Sequence, residues 1–133
     1  MAVLARLHYL TGSPAYRERA EALAAAFSGE LGRNPLPLST FLNGCEVLQR
    51  AVQIVVVGAR EAADTQALLR AIYDTCLPDR ILRTIAPGQA LPAGHPAAGK
   101  GQLDGRATAY VCRGTSCSLP LTDARELSVA LAI

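Results

Sequence analysis

The chain has 133 residues, half of them apolar and 18% charged, which suits one domain with a hydrophobic core and excludes a disordered tail. Its net charge of +2 is nearly balanced, and Lys100 is its only lysine, so there is no basic stripe to follow a phosphate backbone. Two Phe, four Tyr and no Trp offer few stacking platforms for single strands. Nucleic-acid binding is therefore not expected.

Membrane insertion and secretion are not expected either. No window reaches the roughly 20 apolar residues that a membrane span needs. Arg6 and His8 interrupt the apolar N-terminus, and no small-residue cleavage site follows, which disfavours a signal peptide. The four cysteines are too few and too dispersed for a secreted disulfide scaffold. These features predict a cytoplasmic protein.

The first half of the chain has the periodicity of antiparallel helices. Ala2 to Leu10 predicts a helix that starts with no capping residue before it, as if the chain had been cut inside an element. Gly12, Ser13 and Pro14 then suit a helix end, an N-cap and a first helical turn. A second helix is predicted to about Leu31, and a third helix, with Ser39 as a candidate cap, follows two prolines. The helical segment is predicted to span residues 1–51.

The pattern changes to α/β from residue 52. Gln53 to Gly58 predicts a buried strand, and a helix from about Ala62 to Cys76 and a strand from Arg80 to Ile85 complete a βαβ unit. Pro87 to Gly105 predicts a long loop because it is rich in Gly, Pro and Ala.

A hairpin and a last helix are predicted after this loop. Thr108 to Cys112 alternates like a strand, and Ser116 to Leu119 can pair back onto it across a short turn. Thr122 or Asp123 can then cap a helix that runs through Ala132. The predicted fold class is α/β, with N-terminal helices followed by a small mixed sheet.

The last forty residues carry the most distinctive sequence pattern. Gly105 to Cys112, followed by Cys117, Pro120 and Thr122-Asp123, resembles the C-terminal signature of the YyaL family, thioredoxin-domain-containing proteins related to the spermatogenesis-associated member of animals. Matching positions elsewhere extend the resemblance over nearly the whole chain, at Leu10, Thr11, Gly12, Tyr16, Ala20, Glu21 and the Ile54 to Gly58 strand. Ala107 stands where the family usually has proline.

The resemblance implies that the chain corresponds to the C-terminal region of a larger protein. Members of the family have a thioredoxin-like domain and then a helical (α/α)6 toroid like those of six-hairpin glycosidases and sugar epimerases. Residues 1–51 would correspond to the last toroid helices, and residues 52–133 to the terminal α/β segment. The expected partners are the other domains of the parent chain. The family's role is poorly defined, so the resemblance supplies no reaction.

Cys112 and Cys117 are the only residues for which the sequence suggests a chemical role. Their spacing of four intervening residues across a hairpin turn suits a redox disulfide, two thiolate metal ligands, or two small packing residues. A zinc site wants four ligands, and no second cysteine pair exists, so neither a metal nor another cofactor is expected. Cys45 and Cys76 lie on predicted apolar helix faces and are interpreted as core residues.

Other candidate groups have simpler structural interpretations. His8 and His95 have no nearby carboxylate or nucleophile with which to form a triad. Gly58 and the Gly99-Lys100-Gly101 segment lack the remaining features of phosphate-binding loops and are predicted to be turns. Asp64 and Asp123 are predicted to stabilise helix starts. No catalytic residue is assigned.

Three functions remain open from the sequence. The first is a non-catalytic structural or interaction module that closes the end of a larger protein, with its helices completing the toroid and its sheet packing on a neighbouring domain. The second is one wall of a carbohydrate-active toroid enzyme. The third is a thiol-redox accessory that uses the hairpin cysteines. Because its partner domains would be missing, the isolated chain is expected to expose apolar helix faces and to self-associate.

Overall fold

The computed structural model describes residues 1–132 of the chain. The chain divides into two compact units, the first from Met1 to Ala51 and the second starting at Val52. Helices alone build the first unit, and the second combines helices with a four-stranded sheet. The predicted α/β class, with N-terminal helices followed by a small mixed sheet, is therefore confirmed. Within the described residues, no helix is both long enough and apolar enough to cross a membrane.

The first unit consists of helices α1 (Ala2–Thr11), α2 (Pro14–Arg33) and α3 (Ser39–Arg50), with a 3₁₀ turn at Leu36–Leu38. Helix α1 ends at Gly12, whose φ of 72° is the left-handed conformation that glycine adopts readily. Ser13 lies at the N-cap of α2, as predicted, although its side chain makes no capping hydrogen bond.

The predicted cap of α3 is wrong. Leu38 is the N-cap residue, with no side-chain capping bond, and Ser39 is already the first helical residue. The preceding 3₁₀ turn accounts for the difference, because it feeds the chain into the helix without an extended residue at which a serine side chain could cap.

Small residues let the helices of the first unit approach one another closely. A Cβ atom added to Gly44 of α3 would lie 2.6 Å from the backbone nitrogen of Ala2 in α1. The Tyr9 hydroxyl of α1 donates a hydrogen bond to the Leu48 carbonyl oxygen of α3 at 2.7 Å. Glycine at position 44 therefore sets the spacing between these two helices.

The sheet of the second unit has the strand order β2-β1-β3-β4, from strands β1 (Val52–Val57), β2 (Arg80–Ile85), β3 (Thr108–Arg113) and β4 (Ser116–Cys117). Strands β1 and β2 pair in parallel, connected by helix α4 (Ala63–Asp74), so the predicted βαβ unit is confirmed. Strand β3 pairs antiparallel with both β1 and β4. Strand β4 is shorter than the predicted Ser116 to Leu119.

The two faces of the sheet are covered by different structures. Helix α4 and helix α5 (Ala124–Leu131) pack on the face that carries Ile54 and Val56, and they enclose the larger core cluster. The opposite face carries Val55, Tyr110 and Cys112, and residues of the long loop after β2, including Ala97, pack against it. The loop predicted from composition is thus a cover for one sheet face.

Helix α5 is capped by Asp123, one of the two candidate caps predicted from the sequence. The Asp123 carboxylate accepts hydrogen bonds from the backbone N–H groups of Arg125 and Glu126, at 2.8 and 3.1 Å. These bonds, from Glu126 and then Arg125, hold the pKa of Asp123 below its ordinary value.

Candidate functional site

The hairpin formed by β3 and β4 places Cys112 directly opposite Cys117. Gly114, with a φ of 58°, occupies the first position of the two-residue turn between the strands, where hairpin turns require a residue that tolerates positive φ. The Cα atoms of the two cysteines are 3.9 Å apart, and their sulfur atoms are joined as a disulfide. The hairpin predicted from the sequence therefore brings the two candidate residues together.

The two sulfurs have different environments. Cys112 is 0% exposed and belongs to the core cluster under the long loop, together with Val55, Tyr110 and Ala97. Cys117 packs against that cluster but is only partly buried, on the outermost strand of the sheet. The disulfide therefore connects the interior of the second unit with its edge.

Backbone and hydroxyl hydrogen bonds continue the hairpin beyond the disulfide. The Ser118 N–H donates to the Val111 carbonyl oxygen at 2.8 Å, and the Val111 N–H donates to the Ser118 hydroxyl oxygen at 3.1 Å. Ala109 and Leu121 then exchange two backbone hydrogen bonds further along β3. This segment has attachments to β3 that do not depend on the cysteines.

The other two cysteines are not paired. Cys45 in α3 is partly buried, and burial raises the pKa of its thiol. The interpretation of Cys76 as a core residue is wrong, because Cys76 is exposed and lies beyond the end of α4 at Asp74. The helix stops two residues earlier than the apolar pattern predicts, so Cys76 is not carried on its inward face.

The two histidines contact backbone groups close to them in sequence. His8 places its Nδ1 atom 3.3 Å from the Ser13 carbonyl oxygen. His95 accepts a hydrogen bond at Nδ1 from the Ala97 N–H at 3.1 Å, within the loop over the sheet. Burial, and secondarily the charge of Arg83, lowers the pKa of His95. Both histidines thus help to shape turns.

Asp64 has a role that the sequence did not reveal. Its carboxylate lies in the first turn of α4 and accepts hydrogen bonds from the Ala107 N–H and the Thr65 N–H, each at 2.8 Å. These two bonds, with that of Ala107 the stronger, lower the pKa of Asp64. Proline at position 107 would have no N–H to donate. The hydrogen bond from Ala107 therefore links the segment before β3 to the start of α4.

The turn after β1 does not fit a phosphate group. The Gly58 N–H donates to the Ile85 carbonyl oxygen, and a Cβ atom at Gly58 would collide with the Thr65 hydroxyl. In the described part of the chain, the buried Thr65 Oγ1 atom has no hydrogen-bond partner. It packs against Gly58, which leaves no room there for a phosphate oxygen. The Asp64 carboxylate also places a negative charge at this helix start, where a phosphate would otherwise bind.

The long loop lines an open-sided cleft of about 320 Å³ near the carboxyl end of β1, with Val57, Leu91 and Lys100 among its lining residues. The Lys100 ammonium lies 5.1 Å from the centre of the Tyr110 ring, a cation–π distance. The Tyr110 hydroxyl donates to the Gly101 carbonyl oxygen at 2.7 Å. These contacts anchor the loop on the sheet next to the disulfide.

The fold and its hairpin define a class of protein: a small α/β unit with a cross-strand cysteine pair, preceded in sequence by a helical unit. Human spermatogenesis-associated protein 20 is 34% identical to the chain over 128 residues, and the rat and mouse proteins of the same name are 32% and 31% identical. The match covers 93% of this chain and 16% of each relative.

The chain is a homologue of one region of spermatogenesis-associated protein 20, and the family resemblance stated from the sequence is confirmed. It spans about 16% of the length of these relatives. No protein-family model matches the chain, and no solved structure matches it.

Proposed function

We propose that the chain is a non-catalytic structural module that packs against other domains of a larger polypeptide, at its C-terminal end. The proposal rests on the difference in length between this chain and its relatives, because the homologous region makes up 16% of each relative. The partner surface would be supplied by the remaining domains of such a polypeptide.

The first unit has the surface that such packing requires. Val3, Phe27, Leu36 and Leu42 are exposed apolar side chains in its helices and in the 3₁₀ turn, with exposed fractions of 69% for Val3 and 82% for Leu36. Covering such side chains is favourable at about 25 cal/mol per Å² of apolar area. The helices of the first unit therefore gain stability when other domains cover these residues.

The polar side chains of the second unit favour a structural role over catalysis. Asp64, Asp123 and His95 each accept hydrogen bonds from backbone N–H groups. A general acid or base must instead reach the proton that it transfers. The carboxylates and the imidazole thus serve to hold helix starts and a turn.

Two experiments test the structural module. The DNA upstream of the Met1 codon should continue the reading frame, and an immediate stop codon followed by intergenic DNA would refute the proposal.

Sedimentation of the isolated chain should show concentration-dependent self-association through its exposed apolar side chains. The substitutions Phe27→Ser and Leu36→Ser should weaken this association about tenfold or more, whereas Glu18→Ser and Glu30→Ser, at exposed polar sites on α2, should leave it unchanged. A monomer at high concentration would contradict the proposal.

A second candidate function is thiol redox exchange at Cys112 and Cys117. The disulfide in the hairpin is the observation that favours it. In the cytoplasmic location that the sequence suggests, thiols are kept reduced, so the pair would cycle between dithiol and disulfide. Thiol titration of the unfolded protein should find two thiols without reductant, from Cys45 and Cys76, and all four after reduction. An unchanged count removes this function.

The toroid-enzyme alternative stays a prediction. It is tested by adding sugars to the intact parent protein and following the NMR shifts of residues 1–51.

A further inference from the structure

We propose that thiol exchange at the hairpin disulfide is one-sided: an incoming thiolate attacks the sulfur of Cys117, and Cys112 is the leaving and resolving thiol. This inference rests on the redox function proposed above and adds which sulfur reacts. The partner class is a protein or small-molecule thiol that approaches the open edge of the sheet.

The sheet register sets the direction of attack. Gln53 of β1, Cys112 of β3 and Cys117 of β4 are successive partners across the strands, so their side chains form one row on one face. A thiolate displaces a disulfide sulfur along the line of the S–S bond, approaching from the side opposite the leaving sulfur. An attack on Cys117 therefore comes from beyond β4, which is the outermost strand.

An attack on Cys112 would have to come from the opposite direction. That approach is occupied by Gln53, which is 5% exposed, and by the core cluster that encloses Cys112. The loop anchored by the Tyr110 hydroxyl and Lys100 covers the same face of the sheet. A nucleophile therefore cannot approach the Cys112 sulfur along the direction that displacement of Cys117 requires.

The exchange is balanced as a two-electron transfer. The attacking thiolate forms a bond to the Cys117 sulfur, the S–S bond breaks, and Cys112 leaves with the electron pair and takes up a proton from water as a thiol. A second thiolate on the partner then attacks the partner's own sulfur in the mixed disulfide and releases Cys117. The protein gains two electrons and two protons, and a dithiol partner becomes a disulfide.

Burial of the leaving sulfur determines how the mixed disulfide behaves. A thiolate in apolar surroundings is disfavoured, so departure of Cys112 is slow. Once formed, the Cys112 thiol stays beside Cys117 and re-forms the original disulfide when no second thiol intervenes. The mixed disulfide should therefore be transient and is best captured with an alkylating reagent.

Peptide mapping of the full chain tests the inference. The oxidised protein, with Cys45→Ser and Cys76→Ser substitutions, is exposed briefly to glutathione and quenched with N-ethylmaleimide. Trypsin cleavage after Arg106, Arg113 and Arg125 places Cys112 and Cys117 on separate peptides. The expected result is glutathione on the Cys117 peptide and maleimide on the Cys112 peptide, in at least about tenfold excess over the reverse pattern.

The outcomes separate the two proposals. Glutathione on Cys112, equal labelling of both peptides, or no adduct on a protein whose thiol count shows the disulfide would overturn the one-sided exchange. An unchanged thiol count on reduction would instead remove the redox function itself. As a second measurement, the lone Cys117 of a Cys112→Ser variant should react with an aromatic disulfide reagent about tenfold faster than the lone Cys112 of a Cys117→Ser variant. Equal rates in folded variants would also contradict the inference.

Discussion

The second unit encloses large apolar side chains such as Ile54, Leu68 and Leu127, whereas the first unit encloses mainly small ones such as Ala5 and Ala20. Both units expose some large apolar side chains, such as Val3 and Leu36 in the first and Leu119 and Val129 in the second. A sheet that is covered on both faces accounts for the deep core of the second unit. The contrast indicates that the second unit has the larger stabilising core of the two.

The largest effect is expected from shortening a core leucine. Leu127→Ala in α5 removes a side chain that is 0% exposed and should lower the free energy of unfolding by about 2–5 kcal/mol. The matched substitution Leu36→Ala removes a side chain that is 82% exposed and should change it by less than about 0.5 kcal/mol. Urea denaturation measures both. Similar losses of unfolding free energy in the two variants would show that Leu127 contributes no more to stability than the exposed Leu36.

Reduction of the disulfide should destabilise the second unit selectively. Closing a loop of this size restricts the unfolded chain and contributes about 2 kcal/mol. Urea denaturation with and without a phosphine reductant should show that loss, and a protein with Cys112→Ser and Cys117→Ser should be insensitive to the reductant. Tyr9 reports on the first unit, so hydrogen exchange near Tyr9 should not change. A loss confined to the first unit would contradict the comparison.

Glycine substitutions should have opposite signs within the first unit. Gly44→Ala places a methyl group 2.6 Å from the Ala2 nitrogen, and the overpacking cost of about 1–3 kcal/mol should exceed a gain in helix propensity of about 1 kcal/mol. Gly29→Ala in α2 meets nothing within 4 Å and should stabilise by up to about 1 kcal/mol. Thermal unfolding followed by circular dichroism compares them. Stabilisation by Gly44→Ala would show that α1 and α3 are not held this closely.

The smallest effect is expected from acidification. Backbone hydrogen bonds lower the pKa values of Asp64 and Asp123, both in the second unit. A carboxylate whose pKa is lower in the folded state contributes stability above its unfolded pKa of about 3.9, and this contribution disappears as the pH falls through the folded value.

Stability should therefore fall below about pH 4, with a shallower slope in a variant carrying Asp64→Asn and Asp123→Asn. Urea denaturation at several pH values measures the slope, and Glu18→Gln on α2 is the control. A slope unaffected by the double substitution would show that these carboxylates do not report on folding. Ala107→Pro should reduce the contribution of Asp64, because proline has no N–H to donate and only the Thr65 N–H bond remains.

Local patterns accounted for most of the fold. The β-branched run at Val52–Val57 and the apolar spacing of α4 predicted the βαβ unit, and Gly12 and Asp123 predicted a helix end and a helix start. Such features depend on residues within one or two turns of each other, so the sequence carries them directly. The ends of elements were less well predicted, as the positions of Ser39 and Cys76 show.

The candidate site was predicted only in part. The spacing of Cys112 and Cys117 across a turn identified the pair, but not that one sulfur is enclosed and the other lies at a sheet edge. That asymmetry comes from the pairing of β3 with β1 and from the loop that covers Cys112. Neither the pairing of β3 with β1 nor the loop cover over Cys112 can be predicted from the residues around the hairpin.

The sequence by itself determined the helices, the βαβ unit, the hairpin and the family to which the chain is related, because these follow from short-range periodicity and matched motifs. The tertiary structure decided the contacts between residues far apart in the chain: Gly44 against Ala2, and Asp64 with the Ala107 N–H. It also decided the side from which a nucleophile can reach the disulfide. These contacts depend on how whole elements pack. The free energy of packing is distributed over many side chains, so no single residue predicts them.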